Sequence, residues 1–265
     1  MTEQTPRARP GSARAERLAQ MAEFVMNTGS VHVEELARTF EVSLMTVYRD
    51  VESLETAGVL YRARGQVAAA ATSLNETTAQ FRHTQNVEAK RAIAAVARTF
   101  LRPGHSVLVD DSSTAYRVLE TTGALAPLTI VTNSQAVATA VAGRAGVDLF
   151  LAGGQYRPVT DSYVGPTTTG VLGEVRADVC IMSATAVGDG AFYHPYEENV
   201  QVKRAMLAAA RQRILVVDHT KFARHSLHTV AGVAEIDVLI VDAATPEQGL
   251  APFREAGVQV EVAEG

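Results

Sequence analysis

Apolar residues recur at helical spacing from about 14 to 28, where Leu18, Met21, Ala22, Val25 and Met26 share a face before Thr28-Gly29 ends the run. A second, short helix is expected over about 33–40, with Leu36, Ala37 and Phe40 together. A third is expected over about 44–57, closed by Gly58. Ser43 stands where its hydroxyl can accept from an unpaired amide of that helix's first turn. The stretch VLYRARGQVAAAA carries two short runs around Gly65 and reads as a small hairpin with Arg62 and Arg64 near its turn. ATSLNETTAQ has no periodicity and reads as a linker. The polar, proline-bearing residues 1–15 read as a flexible tail.

From about 86 the pattern changes. A helix carries Ile93, Val96, Ala97 and Phe100. Short, nearly continuous apolar runs follow at 106–110, 128–132, 147–153, 178–184, 213–218, 237–242 and 258–262. Helical segments are expected between most of them, at about 113–121, 134–144, 167–176, 199–211 and 246–256. Strands apolar on both faces, alternating with helices, predict a mostly parallel sheet covered on both sides. The chain is therefore read as α/β. Residues 1–15 are a tail, 16–70 a winged helix-turn-helix domain, 71–85 a linker, and 86–265 a larger C-terminal α/β domain.

Composition narrows the function classes. Of 265 residues, 47% are hydrophobic and 20% charged, enough apolar surface for a sizeable core. Tryptophan is absent and aromatics are 6%, so the core rests on aliphatic packing. The formal net charge of −5 excludes a general positive coat, and any nucleic-acid binding must come from a local patch. The single cysteine, Cys180, excludes an intramolecular disulfide and a multi-cysteine zinc site. No run reaches the roughly 18 apolar residues of a membrane helix. Leu18 to Met26 fails as a signal-peptide core because Gln20 and Glu23 interrupt it. A cytoplasmic protein with no membrane partner is expected.

Three short helices and a basic hairpin are the layout of a winged helix-turn-helix. The third helix would enter the major groove and expose Leu44, Met45, Tyr48 and Arg49, with Thr46 close by. Arginine can pair bidentately with guanine, and Thr and Tyr can reach phosphates or bases. Arg62 and Arg64 can neutralise phosphates. Asp50, Glu52 and Glu55 count against groove entry by the later turns. A plain three-helix packing module is the competing reading. The stretch ERLAQMAEFVMNTGSVHVEELARTFEVSLMTVYRDVESLETAGVLYRARG resembles the DNA-binding domain of DeoR-type bacterial transcription regulators. The resemblance runs through Gly29, Ser30, Val33, Glu35, Leu36, Ala37, Phe40, Val42, Ser43, Thr46, Arg49, Asp50, Leu54, Gly58, Leu60, Arg62 and Gly65. It departs at Tyr48, usually Arg, and at Arg64-Gly65-Gln66, usually His-Gly-Gly. DNA contacts are expected from Ser43, Met45, Thr46, Tyr48, Arg49, Arg62 and Arg64.

Ligands of open α/β sheets sit beyond the carboxyl ends of the strands. After the first C-terminal strand stand Asp110, Asp111, Ser112, Ser113 and Thr114; hydroxyls and amides opening a helix suit a phosphate or carboxylate. Asp110 can accept from sugar hydroxyls. Thr132-Asn133-Ser134 and Gly153-Gly154 follow the next two strands, and Lys203 and Lys221 can each supply a cation. Taken singly, each has a structural reading: a helix cap, a turn or a solvated lysine. His219, His225 and His228 lack metal spacing, Cys180 reads as a core thiol, and Gly188-Asp189-Gly190 as a turn.

KRAIAAVARTFLRPGHSVLVDDSST, LTIVTNS, LFLAGGQYRP, YVGPTT, ADVCIMSA, VKRAMLAAA and VVDHTKFAR are similar to the DeoR effector domain. The resemblance implies a fold like ribose-5-phosphate isomerase and the sensing of a phosphorylated sugar or related metabolite. It implies effector contacts at Asp110, Ser112, Ser113, Thr114, Thr132, Asn133, Gly153, Gly154, Lys203 and Lys221. Ser112 replaces a glycine of the family motif, and Ala186-Val187-Gly188 stands where the family has Gly-Ile-Asp. The expected function is a DNA-binding transcription regulator, a repressor controlled by that metabolite. It is read as a homo-oligomer on a double-stranded operator, with no cofactor, metal or catalytic residue. A sugar-phosphate isomerase-like enzyme on the same C-terminal fold, or a regulator that has lost ligand sensing, remain as alternatives.

Overall fold

The computed structural model describes residues 10–63, 65–69, 74–120 and 125–264. The chain divides into two units, Met1–Ala71 and Thr72–Gly265.

The first unit runs α1 (Pro10–Thr28), β1 (Ser30–His32), α2 (Val33–Thr39), α3 (Leu44–Thr56), β2 (Leu60–Ala63) and β3 (Gln66–Ala69). Met21, Ala22 and Val25 of α1, Leu36 of α2, and Val47, Val51 and Leu54 of α3 are buried together as its core. Helix α1 begins at Pro10, so the tail read as reaching residue 15 is shorter. A proline is tolerated at the first helical position, and the alanines after it favour helix despite the polar composition. Residues 1–9 of that tail lie outside the described residues. The hairpin β2–β3 forms as expected, and β1 joins it antiparallel in the order β1-β3-β2. Three residues with one inward side chain, Val31, are too few for the sequence pattern to reveal β1.

The second unit opens with α4 (Ala79–Thr84) and α5 (Val87–Arg98). It continues through β4 (Ser106–Val109), α6 (Ser113–Val118), β5 (Leu128–Thr132), α7 (Gln135–Val141), β6 (Val147–Leu151), β7 (Gln155–Arg157), β8 (Ser162–Val164) and α8 (Pro166–Gly173). Then come β9 (Ala177–Met182), β10 (Ala186–Gly188), β11 (Ala191–His194), α9 (Glu197–Ala209), β12 (Ala210–Val217), β13 (His228–Gly232), β14 (Val238–Asp242), α10 (Glu247–Glu255) and β15 (Gln259–Ala263).

The expected strands form one seven-stranded sheet in the order β15-β14-β12-β9-β4-β5-β6, with every neighbouring pair parallel. Alternate residues feed two cores. Leu108, Cys180, Met182, Leu215 and Leu239 face one layer with Met206 and Phe253. Val107, Val109, Ile130, Ile181, Ile214 and Ile240 face the other with Ile93 and Ala97. Burial on both faces is why these strands read as unbroken apolar runs. Each Val, Leu, Ile, Phe or Met side chain among them contributes about 1.5–3 kcal/mol when fully buried.

Two further antiparallel groups, β7–β8 and β10-β11-β13, were not legible as strands, because four of their strands have three or four residues and β13, HTVAG, carries no continuous apolar run. The Gly188-Asp189-Gly190 turn lies between β10 and β11. Asp189 and Gly190 have φ of 48° and 71°, and Gly188 pairs with Ala191 across the two-residue loop.

The stretch 71–85 is not a free linker in its described part. The Glu76 amide donates to the Tyr196 hydroxyl at 3.1 Å, the Ala79 amide donates to the Val159 carbonyl at 2.8 Å, and α4 follows. Long-range partners fix this segment, and it has no periodicity of its own to announce them.

Candidate functional sites: an exposed helix face and a cationic cleft

On α3 the outward and inward residues separate cleanly. Met45 is 62% exposed and Tyr48 42%, and Arg49 is exposed beside them, while Val47, Val51 and Leu54 point to the core. Ser43 caps the helix: its hydroxyl accepts from the Thr46 amide at 3.2 Å and shares a hydrogen bond with the Thr46 hydroxyl. Arg49 makes no ion pair with a described residue.

Asp50 corrects a sequence expectation. It is buried, accepting from Arg17 Nε at 2.7 Å and Arg14 Nε at 3.3 Å, so its charge faces α1 and not the exposed face. Arg62 also differs from a free phosphate contact. Its guanidinium and its amide both meet the Glu55 carboxylate at 2.7 Å. Arg64 lies outside the described residues.

In the second unit the chain moves outward from β4 to β5 and β6, and in the other direction from β9 to β12, β14 and β15. The direction therefore reverses between β4 and β9, the place where open α/β sheets form their crevice. A cleft opens there. Ser112, Ser113 and Thr114 border it from beyond β4, Ser183 and Ala184 from beyond β9, and Lys221 from beyond β12. Lys203, His194, Asp111, Glu76 and Arg82 complete the wall. The cleft is half open, with about 330 Å³ of empty space when its mouth is included.

Asp110 is spent on the protein. Its carboxylate accepts from the Ser112 amide and hydroxyl, the Ser183 amide and the Lys203 ammonium. Burial opposes the charge on Lys203, but Asp110 and Asp111 outweigh it and push the ammonium upward. Asp111 is held low by the same pairing against its burial, and accepts from Ser162 and Asn199 at 2.8 Å each. Ser112, the departure from the family glycine, serves as the cap of α6 by accepting from the Ala115 amide.

Thr132, Asn133, Gly153 and Gly154 do not line the cleft. The Thr132 hydroxyl donates to the Val109 carbonyl at 2.7 Å, and the Asn133 amide donates to the Tyr163 carbonyl at 2.9 Å. The Gly153 carbonyl accepts from Thr168 at 2.9 Å. A Cβ on Gly154 would fall 2.2 Å from the Thr168 hydroxyl and 2.7 Å from the Val164 carbonyl, so this glycine is demanded by packing.

The cleft's cations are poorly matched. Lys221 is 8% exposed, and its ammonium makes no ion pair or hydrogen bond with a described residue. Burial and Arg224 pull it down to about 8. Lys90, buried behind the wall, is pulled to about 7 by burial and Lys221. It donates to the Ser113 hydroxyl at 3.0 Å and the Arg82 carbonyl at 2.6 Å. Arg82 donates to the carbonyls of Thr77 and Asp111. His194 is pulled to about 4 by burial and Lys203, so it is neutral at pH 7, and its Nδ1 accepts from the Tyr196 amide. Its Nε2 therefore carries the proton.

Sequence reasoning missed Glu76, Arg82, Lys90 and His194. The first two sit in an aperiodic stretch, and only the sheet topology brings the others near. Asp111 was adjacent to a chosen residue and carried a readable signal. Cys180 is a buried core thiol that burial pushes up, and no metal-binding cluster exists among the described residues. No helix among the described residues is long and apolar enough to cross a membrane.

Residues 17–73 match the DeoR-like helix-turn-helix domain, and residues 85–243 match the DeoR C terminal sensor domain. A transcriptional repressor provisionally assigned to the aga operon of Escherichia coli O157:H7 is 30% identical, over 93% of each chain. The glycerol-3-phosphate regulon repressor of Escherichia coli (strain K12) is 28% identical, over 91% of this chain and 95% of its own. Ribose 5-phosphate isomerase A from Methanocaldococcus jannaschii shares 15% identity at a TM-score of 0.39, covering 52% of this chain and 55% of that one. With a DNA-binding module and a sensor module matched in that order along one chain, the protein belongs to the DeoR family of transcription regulators.

Proposed function

We propose that this regulator is a repressor whose second unit takes a phosphorylated sugar or related anionic metabolite in the cleft bordered by Ser113, Thr114 and Lys221. In the same reading, Met45, Tyr48 and Arg49 on α3, started by Ser43 and Thr46, read operator bases. Arg62 and Arg64 of the wing meet phosphates. One relative is a glycerol-3-phosphate regulon repressor, and a small phosphorylated ligand is the class carried over to this chain. The chain acts in the cytoplasm as at least a dimer, because helix-turn-helix readers pair operator half-sites.

The observation that carries the cleft assignment is Lys221. A buried ammonium is costly without a partner, and this one borders open space with no carboxylate in contact. An incoming anion supplies that partner by a charge-assisted hydrogen bond. Ser113, whose oxygen already accepts from Lys90, keeps its own proton to donate.

The reading assigns no catalysis. An isomerase needs a carboxylate base able to take up a proton, whereas Asp110 and Asp111 are tied to Lys203 and their neighbours and Glu76 is held far below the usual range by the surrounding cations.

Thermal-shift screening of phosphorylated sugars against the full chain tests the assignment. A true effector raises the melting temperature of the wild type and leaves Lys221→Ala unmoved. If a compound stabilises both proteins equally, the cleft is not its site.

A further inference from the structure

Arg82, Lys90, Lys221 and Arg224 form a group of cations, none of which has a carboxylate within ion-pair distance among the described residues. Glu76, Asp218 and, through Arg82, Asp111 are acids that act on the group from a distance. Glu76 borders the cleft and is buried. Burial alone would push its carboxyl up, but Arg82, Lys221 and Arg224 together hold it far below the usual range. Its oxygens accept from the Thr185 hydroxyl at 2.6 Å and the Thr77 amide at 3.0 Å. Glu76 belongs to the stretch that follows directly on the helix-turn-helix unit in the chain.

We propose that the Glu76 carboxylate is a built-in competitor for the anionic group of the effector, seated where Lys221, Arg82 and Arg224 converge, and that a phosphate monoester binds by taking its place. The inference rests on the cleft being the effector site.

Two physical arguments support it. The half-open cleft brings Glu76, Arg82 and Lys221 to one wall, so an anion that reaches both cations there stands against the Glu76 carboxylate. A dianion and the Glu76 carboxylate repel each other while drawing on the same cations, so the mobile part of the wall is the acid. Glu76 is anchored by hydroxyls and one adjacent amide, and the cations that attract it do so without an ion-pair contact, so they are equally open to an incoming anion. When it leaves, the Thr77 amide and hydroxyl lose their acceptor, and the backbone that the Glu76 amide ties to Tyr196 is loosened. Occupancy of the cleft is thereby written into the segment that joins the sensor to the DNA-binding unit, which is the differential contact that ligand control requires.

Titration of the full-length protein with inorganic phosphate tests this, by calorimetry on the wild type and Glu76→Gln, and by amide hydrogen exchange on the wild type. The amide side chain keeps a hydrogen-bond acceptor for Thr185 but no charge. Phosphate should bind Glu76→Gln at least tenfold more tightly, and should speed exchange at the amides of residues 76–78 in the wild type. Equal or weaker binding to the variant, with the wild type binding phosphate, overturns the competition while leaving the cleft as the site. Tighter binding with unchanged exchange overturns the release of the segment. Binding to neither protein overturns the anionic-effector reading, and this inference with it. Should Glu76→Gln fail to fold, unchanged protection at residues 76–78 in phosphate-saturated wild type overturns the proposal alone.

Discussion

The Lys90 ammonium donates to the Ser113 hydroxyl at 3.0 Å, joining the first turn of α5 to the start of α6 across the edge of the cleft. Lys90 is 3% exposed, and its second bond goes to the Arg82 carbonyl. One buried lysine thus ties together two residues that border the cleft. Replacing it with methionine keeps the stem and removes the charge. Lys90→Met should fold and bind inorganic phosphate about five- to tenfold more weakly, the scale of one hydrogen bond worth about 1 kcal/mol. Calorimetry reads this, and an unchanged affinity limits Lys90 to a structural part.

Lys221 should show a trade between stability and binding. Its folded value of about 8 lies below its unfolded value near 10.5, so the folded chain binds fewer protons between the two. Stability therefore rises with pH across that window, and below pH 8 the buried ammonium costs its full amount. Lys221→Met should raise the ligand-free stability at neutral pH by up to about 3 kcal/mol. It should also abolish stabilisation by phosphate. Denaturant melts at pH 7 and pH 10 check both parts, because the variant's advantage must shrink at the higher pH.

The same lysine makes anion binding pH-dependent in a defined direction. Sulfate keeps its charge from pH 6 to 10, so any change in its affinity reports on the protein. Binding requires charged Lys221, and affinity should fall by about tenfold per pH unit above about 8. An affinity flat from pH 7 to pH 10 is incompatible with Lys221 as the partner.

On the DNA-binding unit, Arg49→Ala should weaken specific operator binding by about 1–3 kcal/mol and leave non-specific binding nearly unchanged. Glu55→Gln should act in the opposite sense. It releases Arg62 from its 2.7 Å ion pair, and the salt dependence of DNA binding should steepen by about one phosphate contact. Anisotropy titrations over a range of salt concentrations separate the two effects.

Asp50 is the buried acid of this unit, and Arg14 and Arg17 reach it from α1. Asp50→Ala should lower the stability of the unit by about 1–3 kcal/mol, since it unpins α1 from α3. A thermal melt of the variant reads the loss. DNA affinity measured well below the melting temperature should stay close to wild type, because the side chain does not share the exposed face with Arg49.

Local pattern carried most of the architecture. Each central strand is buried on both sides, and the alternation of Val, Ile and Leu from 106 to 110 or 237 to 242 needs no distant information to be read. The exposed and buried faces of α3 and the cap at Ser43 were legible for the same reason, since helical spacing and capping act within a few residues. The parallel sheet also implied that residues following its strands, Ser113, Thr114 and Lys221 among them, lie along one edge, because the strand ends of one sheet open together.

Tertiary structure alone decided which polar residues are free. Asp110 and Lys203, both expected as ligand contacts, pair with each other across 93 residues of chain, and of the two only Lys203 borders the cleft. Thr132 bonds a carbonyl of the neighbouring strand β4, and Asn133 and Gly154 bind or pack against neighbours brought in by β8 and α8. Glu76 and Arg82 looked like linker, yet they wall the cleft. Whether a charge is spent or available depends on the sum of burial and long-range Coulomb interactions at one point in space. A sequence orders residues along a line, and that sum exists only once the chain has folded.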